Sequence, residues 1–377
     1  MKGLNDWIMI KLNDKDKKWV EELWLKLDRK LSNTAVKIRD FIPYTTKEGK
    51  YVPDSNEGIT WWTNGFYGGL MWLMYNETKN EEYKKTAQLQ EKLLDEAFKN
   101  YDGLHHDVGF MWGLTAKTNY ILNGDKASRV RALFAANILM SRANIKSRYI
   151  RAWNHEPGFS IIDCMMNIPL LYWASRELKD DRFRYVAQMH ADMTILDHVR
   201  ENGSVVHIAV HREDKPEILE TLAGQGYGVG SSWTRGQAWA IYGFILSYIH
   251  TGEKKYLDIC KKVSDYFLSK AAESGYKILT DFDQPKEVEY IDTSAGVCAA
   301  CGIIELYKAT GDEKYLSGAI NILRALEDDC IFDDSEESVL QNGMEAYFKG
   351  EQLHLIYSDF FFAEAILKLK GSEFLIW

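Results

Sequence analysis

Proline is scarce in this chain of 377 residues, which contains only six. Because proline removes a helical hydrogen bond and breaks helices, so few prolines leave a long chain free to be helical nearly throughout. Segments 17–38, 81–99 and 254–268 place apolar residues at helical spacing. With 46% hydrophobic residues the chain can also bury a large core. We therefore expect a folded, mainly helical protein.

The chain also lacks a disulfide framework, an excess of positive charge and long apolar runs. Five cysteines are an odd number, which favours reduced thiols and a cytoplasmic location. The net charge is -9, without the basic patches typical of nucleic-acid-binding proteins. No stretch is long enough to span a membrane, and residues 1–24 lack the apolar run of a secretory signal. We expect neither nucleic acid nor membrane as a partner.

Short polar segments recur between the helical stretches, at 76–83, 123–126, 178–183, 251–256 and 310–315. Each is predicted to end one helix and start the next, since Gly or Asn suits a left-handed helix end and an acidic residue favours a helix start. Apolar stretches begin near Trp62, Gly109, Asp163, Arg235, Thr293 and Leu355, and charged amphipathic ones near Lys17, Glu81, Lys126, Asp181, Lys254 and Glu313. Six such helical hairpins predict an all-α fold, an (α/α)6 barrel with inner and outer helix rings, in a single domain over 1–377.

Two aspartates precede predicted inner helices. Asp107 follows His105 and His106 in a polar cluster, whereas Asp163 stands alone in the apolar run 161–166. A carboxylate in such a place is either a helix cap or a functional acid with a raised pKa, and capping is the simpler interpretation of each residue alone. Equivalent positions on neighbouring hairpins favour a catalytic pair at one mouth of the barrel. We expect the apolar flank and the charge of Asp107 to raise the pKa of Asp163, against an opposing helix N-terminus.

Aromatic and polar residues in the same entry segments predict that the pair acts on a sugar. An arginine flanked by two tryptophans, as in segment 230–239, can bind a carboxylate and a sugar ring, although a structural arginine that bonds loop carbonyls is the alternative. The histidines at 105–106 lack a familiar set of further ligands, and Cys298 and Cys301 fit close helix packing, so neither metal nor cofactor is expected. The candidate substrate-binding residues are Trp62, His106, His207, Gln225, Trp233, Arg235 and Trp239.

Three motifs together resemble a known family. They are His-His-Asp-Val-Gly-Phe at 105–110, Ile-Ile-Asp-Cys at 161–164 followed by Asn167 and Pro169, and Ser-Ser-Trp-Thr-Arg-Gly-Gln-Ala-Trp at 231–239. They resemble the unsaturated glucuronyl hydrolases of glycoside hydrolase family 88, and the resemblance continues to 357–360. It implies an enzyme that removes a 4,5-unsaturated uronic acid from the non-reducing end of oligosaccharides left by polysaccharide lyases. It also implies that Asp163 is the general acid/base, that Asp107 is a second essential carboxylate, and that Gln225 and Arg235 lie near the substrate carboxylate.

Some alternatives remain open at this stage. Unsaturated rhamnogalacturonyl hydrolases share the barrel, a sugar epimerase on it would use histidines as acid and base, and a non-catalytic glycan-binding protein would need only the tryptophans. Residues 341–354 depart from the Gly/Ser/Lys-bearing loop of family members that accept sulfated fragments, with Lys349 as the candidate replacement. The preferred glycan and its sulfation therefore stay undetermined. We expect an unsaturated oligosaccharide as the substrate and a monomer or weak homodimer as the assembly.

Overall fold

Helices dominate the computed structural model, which describes residues 7–53, 58–288 and 290–377. Residues 1–6, 54–57 and 289 of the predicted single domain lie outside the described residues. The helices are α1 (Asp14–Lys37), α2 (Phe66–Thr78), α3 (Glu81–Leu94), α4 (Val108–Leu114), α5 (Ala116–Asn123), α6 (Lys126–Ser141), α7 (Cys164–Asn167), α8 (Pro169–Leu178), α9 (Asp181–Asp197), α10 (Thr234–Thr251), α11 (Lys254–Glu273), α12 (Thr293–Thr310), α13 (Glu313–Ala325) and α14 (Ile356–Lys370).

The helices form two rings, as predicted. Helices α2, α4 with α5, α7 with α8, α10, α12 and α14 are buried on nearly all sides over much of their length, and α14 packs against α2 to close the inner ring. Helices α1, α3, α6, α9, α11 and α13 bury one face only and form the outer ring. This arrangement confirms the (α/α)6 barrel. The main buried apolar cluster runs from Trp19 to Trp377, which supports a single domain.

Two of the inner helices are interrupted, which the hydrophobic pattern did not predict. Thr115 has φ −104° and ψ −87°, outside the helical region, and separates α4 from α5. Pro169 is the first residue of α8, where its missing N–H costs little, and it ends the short helix α7. Each break leaves a short helix at the barrel mouth, immediately after a candidate catalytic aspartate.

The turns between the rings largely follow the predicted chemistry. Gly124, Gly252 and Gly311 adopt the left-handed conformation at the ends of α5, α10 and α12. Lys79 and Lys179 adopt it after α2 and α8, although neither is the Gly or Asn that was predicted for a left-handed helix end. Because a left-handed non-glycine residue costs about 1–2 kcal/mol, packing must hold these two turns. An Asn or Asp side chain accepts a backbone N–H at the starts of α1, α3, α6, α9, α12 and α13, where the residues are Asn13, Asn80, Asp125, Asp180, Asp292 and Asp312.

Short antiparallel strands line the loops at the mouth. They are β1 (Thr45–Lys47), β2 (Lys50–Val52), β3 (Ala143–Asn144), β4 (Tyr149–Ile150), β5 (Phe159–Ile161), β6 (Ile208–His211), β7 (Ile218–Leu222), β8 (Gly343–Met344) and β9 (Gln352–Leu353). The largest sheet has the order β5-β6-β7 and pairs Ile161 with Ile208. It brings the segment before Asp163 beside the segment after His207, although 43 residues separate Asp163 from His207 in the sequence.

All five cysteines are free, and those at 164, 260, 298 and 301 are buried. No helix among the described residues is long and apolar enough to cross a membrane.

Inner helices α4 and α7 approach closely at Gly109. A Cβ atom at Gly109 would lie 2.5 Å from both the Cα and the carbonyl oxygen of Asn167, a distance that no real contact tolerates. A Cβ atom at Gly113, one turn further along α4, would meet nothing within 4 Å. The close approach therefore depends on one glycine, which lies two residues after Asp107.

We expect Gly109→Ala to destabilise the fold by about 1–3 kcal/mol, because the added methyl group forces α4 away from α7. The matched control, Gly113→Ala, should be neutral or stabilising by up to about 1 kcal/mol, because it removes backbone freedom without a clash. Urea denaturation of the two variants tests this expectation. Equal stability of the two would show that α4 and α7 do not need to approach so closely.

Candidate active site

Asp107 lies directly before α4, on the loop that leads into the barrel mouth. Its side chain does not cap the helix. Instead, Oδ1 lies 3.0 Å from Nε2 of His106, and Oδ2 lies 3.4 Å from Nδ1 of His105. Both histidines of the predicted polar cluster therefore face this carboxylate.

His106 supplies the charge that neutralises Asp107. Nδ1 of its buried ring lies 2.8 Å from the carbonyl oxygen of Ala152, which also accepts a hydrogen bond from Nη2 of Arg142 at 3.0 Å. An acceptor lies beside each ring nitrogen, which favours a proton on both. Burial opposes the positive charge, but Asp107, the carbonyl of Ala152 and Asp163 together raise the pKa of His106. Burial acts against the charge of Asp107 as well, and His106 turns the balance so that the pKa of Asp107 is lowered.

Asn167 connects the two candidate catalytic segments. Its Nδ2 donates to Oδ1 of Asp107 at 2.9 Å and to the carbonyl oxygen of Asp163 at 3.3 Å. Its Oδ1 accepts from the backbone N–H of Phe110 at 2.7 Å, which fixes the orientation of the amide. One buried side chain therefore sets the position of Asp107 relative to the loop that carries Asp163.

Asp163 lies between β5 and α7, and its side chain makes no helix-capping hydrogen bond. Burial raises the pKa of Asp163 to about 7, and the negative charge of Asp107 adds to this rise. The charges of His106 and Arg235 oppose it. The expected rise and its two causes are confirmed. Each aspartate occupies the N-cap position of its helix, but neither side chain makes a capping hydrogen bond, so capping does not account for these two carboxylates.

His207 immediately precedes β6 and faces Asp163, with Nε2 3.6 Å from Oδ1. Its Nδ1 accepts a hydrogen bond from the backbone N–H of Gln225 at 3.0 Å, and it lies 3.3 Å from the carbonyl oxygen of Ala223. The shorter contact assigns the ring proton to Nε2, on the side of Asp163. Burial lowers the pKa of His207 to about 3, so the ring is neutral. Gly224 has φ +57°, and a Cβ there would lie 2.0 Å from Nδ1 of His207.

Arg235 is buried at the start of α10 and is paired with a carboxylate that was not predicted. Its Nη1 lies 2.5 Å from Oδ2 of Asp292, and its guanidinium also donates to the carbonyl oxygens of Met344 and Glu345. The guanidinium carbon lies 4.6 Å from the ring centroid of Trp233. Arg235 therefore holds the 344–345 loop through two of its carbonyl oxygens, and its charge also opposes the rise in the pKa of Asp163.

Gln225 binds the same loop. Its Nε2 donates to the carbonyl oxygen of Glu345 at 2.6 Å, and the guanidinium of Arg235 donates to that same oxygen. The two residues predicted to lie near the substrate carboxylate are thus brought together, with donor atoms close enough to share one acceptor.

The predicted tryptophans differ in their exposure. Trp62 is partly exposed and rests on a cluster of rings, at centroid distances of 5.5 Å to Phe110, 6.2 Å to Trp239 and 4.9 Å to Tyr357. Trp239 is fully buried, and Trp233 is nearly so, with its ring 4.2 Å from that of His207. The buried positions do not support direct sugar contact by Trp233 or Trp239. These two residues support Trp62, His207 and Arg235 from below.

The residues His105, His106 and Asp107 form the one group within the described ranges whose ligand atoms lie close enough for a metal ion, within 4.8 Å of one another. Each ring nitrogen of His106 faces an acceptor, so this ring offers no lone pair to a metal. The two remaining ligands are fewer than the three or four that a zinc site needs. That no metal takes part stays a prediction.

Three polar residues of the site were not assigned a role from the sequence, namely Arg142, Asn167 and Asp292. Each acts through another residue: Arg142 through the carbonyl of Ala152, Asn167 through Asp107, and Asp292 through Arg235. A signal existed for Asn167 and Asp292, since each is a polar residue at or near the start of an apolar helix. Arg142 follows an outer helix and carried no such signal.

Comparisons with known proteins identify relatives of this chain. No family model matches the chain. The unsaturated glucuronyl hydrolase of Bacillus sp. strain GL1 is 32% identical over 368 residues, which cover 90% of this chain and 94% of that protein. The unsaturated chondroitin disaccharide hydrolase of Streptococcus agalactiae is 31% identical, with 84% and 83% covered. A solved structure of an unsaturated glucuronyl hydrolase variant with dGlcA-Glc-Rha-Glc superposes with a TM-score of 0.85 at 31% identity, with 92% and 95% covered.

We expect Asn167→Asp to lower the free energy of unfolding at pH 7 by about 1–3 kcal/mol, because a donor to Asp107 becomes a second buried negative charge. The variant keeps an acceptor for the N–H of Phe110, so the change removes only the hydrogen bonds that Nδ2 donates to Asp107 and to the carbonyl of Asp163. The loss should shrink as the pH falls and the carboxylates become protonated. Denaturant titrations at neutral and acidic pH measure both effects.

The control is Asn137→Asp, which adds the same charge at an exposed position of α6. A pH-independent loss, or an equal loss in both variants, would contradict the role assigned to Asn167.

Proposed function

The chain belongs to the family of unsaturated glucuronyl hydrolases, and from this premise we propose that Asp163 is the general acid/base that hydrates the unsaturated uronic acid of its substrate. The observation that carries the proposal is the position of Asp163, largely buried and joined through Asn167 to a second carboxylate, which raises its pKa to about 7. A carboxyl group of this kind holds a proton at neutral pH and can donate it.

The reaction follows from the chemistry of the substrate. The 4,5-unsaturated uronic acid is an enol ether, and transfer of the Asp163 proton to C4 leaves an oxocarbenium ion spread over C5 and the ring oxygen. Water then adds at C5 while the Asp163 carboxylate takes up one of its protons, which restores the acid. The resulting hemiketal opens and releases the remaining oligosaccharide as the leaving group. No protein nucleophile is needed at the anomeric carbon, so the carboxylate spacing rule of ordinary glycosidases does not apply.

Asp107 and His106 act together as the partner of Asp163 in this proposal. The pKa of Asp107 is lowered, so this carboxylate is ionised when Asp163 is protonated. Its negative charge favours the protonated form of Asp163 before the reaction and stabilises the positive charge that develops on the sugar. His106 keeps the net charge of the buried site low, and both residues lie where they can also bind sugar hydroxyl groups.

His207 is suited to stabilise the ionised form of Asp163, which exists after the proton has been transferred. Once the proton has moved to C4, the carboxylate lies beside the neutral Nε2–H of His207, at the 3.6 Å separation of Nε2 and Oδ1. A neutral donor stabilises the carboxylate without the large change in pKa that a cation would cause. The low pKa of His207, about 3, also makes it a poor proton donor, which argues against an epimerase that uses histidines.

Arg235 and Gln225 are proposed to orient the substrate carboxylate, and Trp62 to stack on the sugar ring. The first two already donate to one oxygen, that of Glu345, so a carboxylate oxygen fits the same pair of donors. Binding of the substrate carboxylate there would displace or share that loop carbonyl. Trp62 presents the exposed ring of the cluster beneath the mouth.

We propose glycosaminoglycan-type unsaturated oligosaccharides as the substrate class, since one relative is named for chondroitin disaccharides and another for glucuronyl hydrolysis. Lys349, the candidate replacement for a sulfate-binding cation, has its Nζ 2.5 Å from Oε1 of Glu345. The other oxygen of Glu345 accepts a hydrogen bond from the hydroxyl of Tyr44 at 2.9 Å. Lys349 is thus already paired with a carboxylate, and we propose that the leaving sugar carries no sulfate at this loop.

We further propose that the enzyme works in the cytoplasm as a monomer or weak homodimer. The odd number of cysteines, all free, supports a reducing compartment.

Replacement of Asp163 by Asn should lower turnover by at least about 10²- to 10⁴-fold, because the amide can neither donate nor recover the proton. Substrate binding should persist, since the amide keeps the shape of the carboxyl group. The loss of ultraviolet absorbance of the conjugated double bond measures turnover, and calorimetry with the variant measures binding. Asp258→Asn, at an exposed position of α11, is the matched control. A near-normal rate in the Asp163 variant would refute the assignment.

The pH dependence of kcat/KM gives a separate test. The reacting form of Asp163 is the protonated one, and its pKa is about 7. Below that pH the group is protonated and active, and above it the proton is lost, so the rate should fall tenfold per pH unit on the alkaline side of about pH 7. A rate that stays constant through neutral and mildly alkaline pH would show that another group donates the proton.

A further inference from the structure

Two loops at the barrel mouth are joined next to the residues that face the substrate. The backbone N–H of Tyr347 donates to the carbonyl oxygen of Gln225 at 2.9 Å, and Nε2 of Gln225 donates to the carbonyl oxygen of Glu345 at 2.6 Å. The backbone N–H of Gln225 in turn donates to His207, whose Nε2 lies 3.6 Å from Asp163. Tyr347 is therefore connected to the proposed acid by a short, continuous chain of contacts.

Three tyrosines gather at this junction and are not buried. The ring of Tyr347 meets that of Tyr227 edge to face, with centroids 5.1 Å apart, and that of Tyr290, with centroids 5.7 Å apart. Tyr227 is 47% exposed, and Tyr290 and Tyr347 are partly exposed. We call these three residues the aromatic rim. Phe348, beside it in the sequence, is 72% exposed.

A cluster of exposed aromatic rings beside a site indicates a binding surface. Single exposed apolar residues are common and carry no such indication. The two edge-to-face contacts fix the ring of Tyr347 and so reduce the entropy that a ligand would have to remove. Fixed, partly exposed aromatic rings with polar hydroxyl groups suit a ligand that has an apolar face and polar edges. A pyranose ring is such a ligand.

The location of the aromatic rim indicates which part of the substrate it can contact. The enzyme acts on the sugar at the non-reducing end, which must reach Asp163 within the barrel mouth. The remainder of the oligosaccharide must leave through the mouth, past the loops that carry Gln225 and Glu345. Tyr227 and Tyr347 lie on these two loops, and Tyr290 lies on the loop before α12.

We propose that the aromatic rim is a binding subsite for a pyranose ring of the leaving oligosaccharide, beyond the sugar directly linked to the unsaturated uronic acid. This inference rests on the proposed function and extends it. The subsite makes the enzyme more efficient on unsaturated tetrasaccharides than on the disaccharides of the same repeating unit.

The test compares kcat/KM for an unsaturated disaccharide and an unsaturated tetrasaccharide of the same unsulfated repeat, using the loss of ultraviolet absorbance. The informative quantity is the ratio of the two values, which cancels any general effect of a mutation on catalysis. In the wild-type enzyme this ratio should exceed one. In Tyr347→Ala and Tyr227→Ala it should fall by about tenfold or to one, as expected when one stacking contact is lost.

Two control variants separate stacking from structure. Tyr347→Phe keeps the ring and the backbone contact with Gln225, so it should keep most of the wild-type ratio. Tyr185→Ala removes a tyrosine that is 58% exposed on α9, outside the rim, and should leave the ratio unchanged. If Tyr347→Ala fails to fold, Tyr227→Ala carries the test alone, since the Tyr227 side chain is exposed.

The outcomes distinguish this inference from the proposed function. If the wild-type enzyme cleaves neither substrate, the proposed function fails. If it cleaves both but the ratio is one, or if the rim variants leave the ratio unchanged, the subsite does not exist. If the rim variants leave the ratio unchanged but convert a dimer to a monomer in sedimentation experiments, the rim is an interface between copies of the chain, and the sugar subsite is refuted.

Discussion

The site depends on the burial of two carboxyl groups at one mouth, with only one of them ionised. A buried carboxylate is costly unless a partner compensates it, and two of them close together cannot both keep a charge at low cost. His106 and Asn167 resolve this constraint by stabilising the charge on Asp107. Asp163, whose Oδ1 has no hydrogen-bond partner among the described residues, then holds its proton. The acid form of the catalytic group therefore follows from contacts that are made to its neighbour.

Contacts beyond the two aspartates maintain this difference in protonation between Asp107 and Asp163. The carbonyl of Ala152 keeps a proton on Nδ1 of His106, and Arg142 holds that carbonyl in place. Gly109 lets α4 approach α7 closely enough for Asn167 to reach Asp107. A change at any of these positions would alter the charge of the site without touching a substrate, as outer residues commonly do in enzymes that tune a pKa.

The residues proposed to bind the sugar and the residues that pack against them belong to different elements. Trp62 comes from the turn before α2, His207 from the start of the central sheet strand, and Arg235 from α10. Behind them, Trp239, Trp233 and Asp292 fill the space to the core and neutralise charge. The motif at 231–239 predicted a binding site from its tryptophans and its arginine, although Trp233, Arg235 and Trp239 are all buried. Trp239 packs against the partly exposed Trp62, and such packing makes a site rigid, which binding and catalysis both require.

Much of the fold could be predicted because its signals are local. Helical spacing of apolar residues, the scarcity of proline and the Asp or Asn at helix starts located twelve helical stretches, and the structure has a helix or a pair of short helices at each. The sheet that joins β5 to β6 escaped prediction, since its pairing links segments far apart in the sequence and its strands are short. The breaks at Thr115 and Pro169 also escaped, because an inner helix is apolar on both sides of a break.

By itself, the sequence determined the barrel, the two aspartates and their membership of one site, because these depend on periodicity and on the presence of isolated polar residues in apolar segments. Only the tertiary structure decided which groups compensate the charge of Asp107, which ring nitrogen of His207 carries the proton, and which tryptophans reach the mouth. These properties depend on distances of 3 to 4 Å between groups on different helices and strands, such as the 3.0 Å between His106 and Asp107 and the 3.6 Å between His207 and Asp163. Electrostatic interactions at such distances change steeply with position and burial, and no local pattern of residues encodes them.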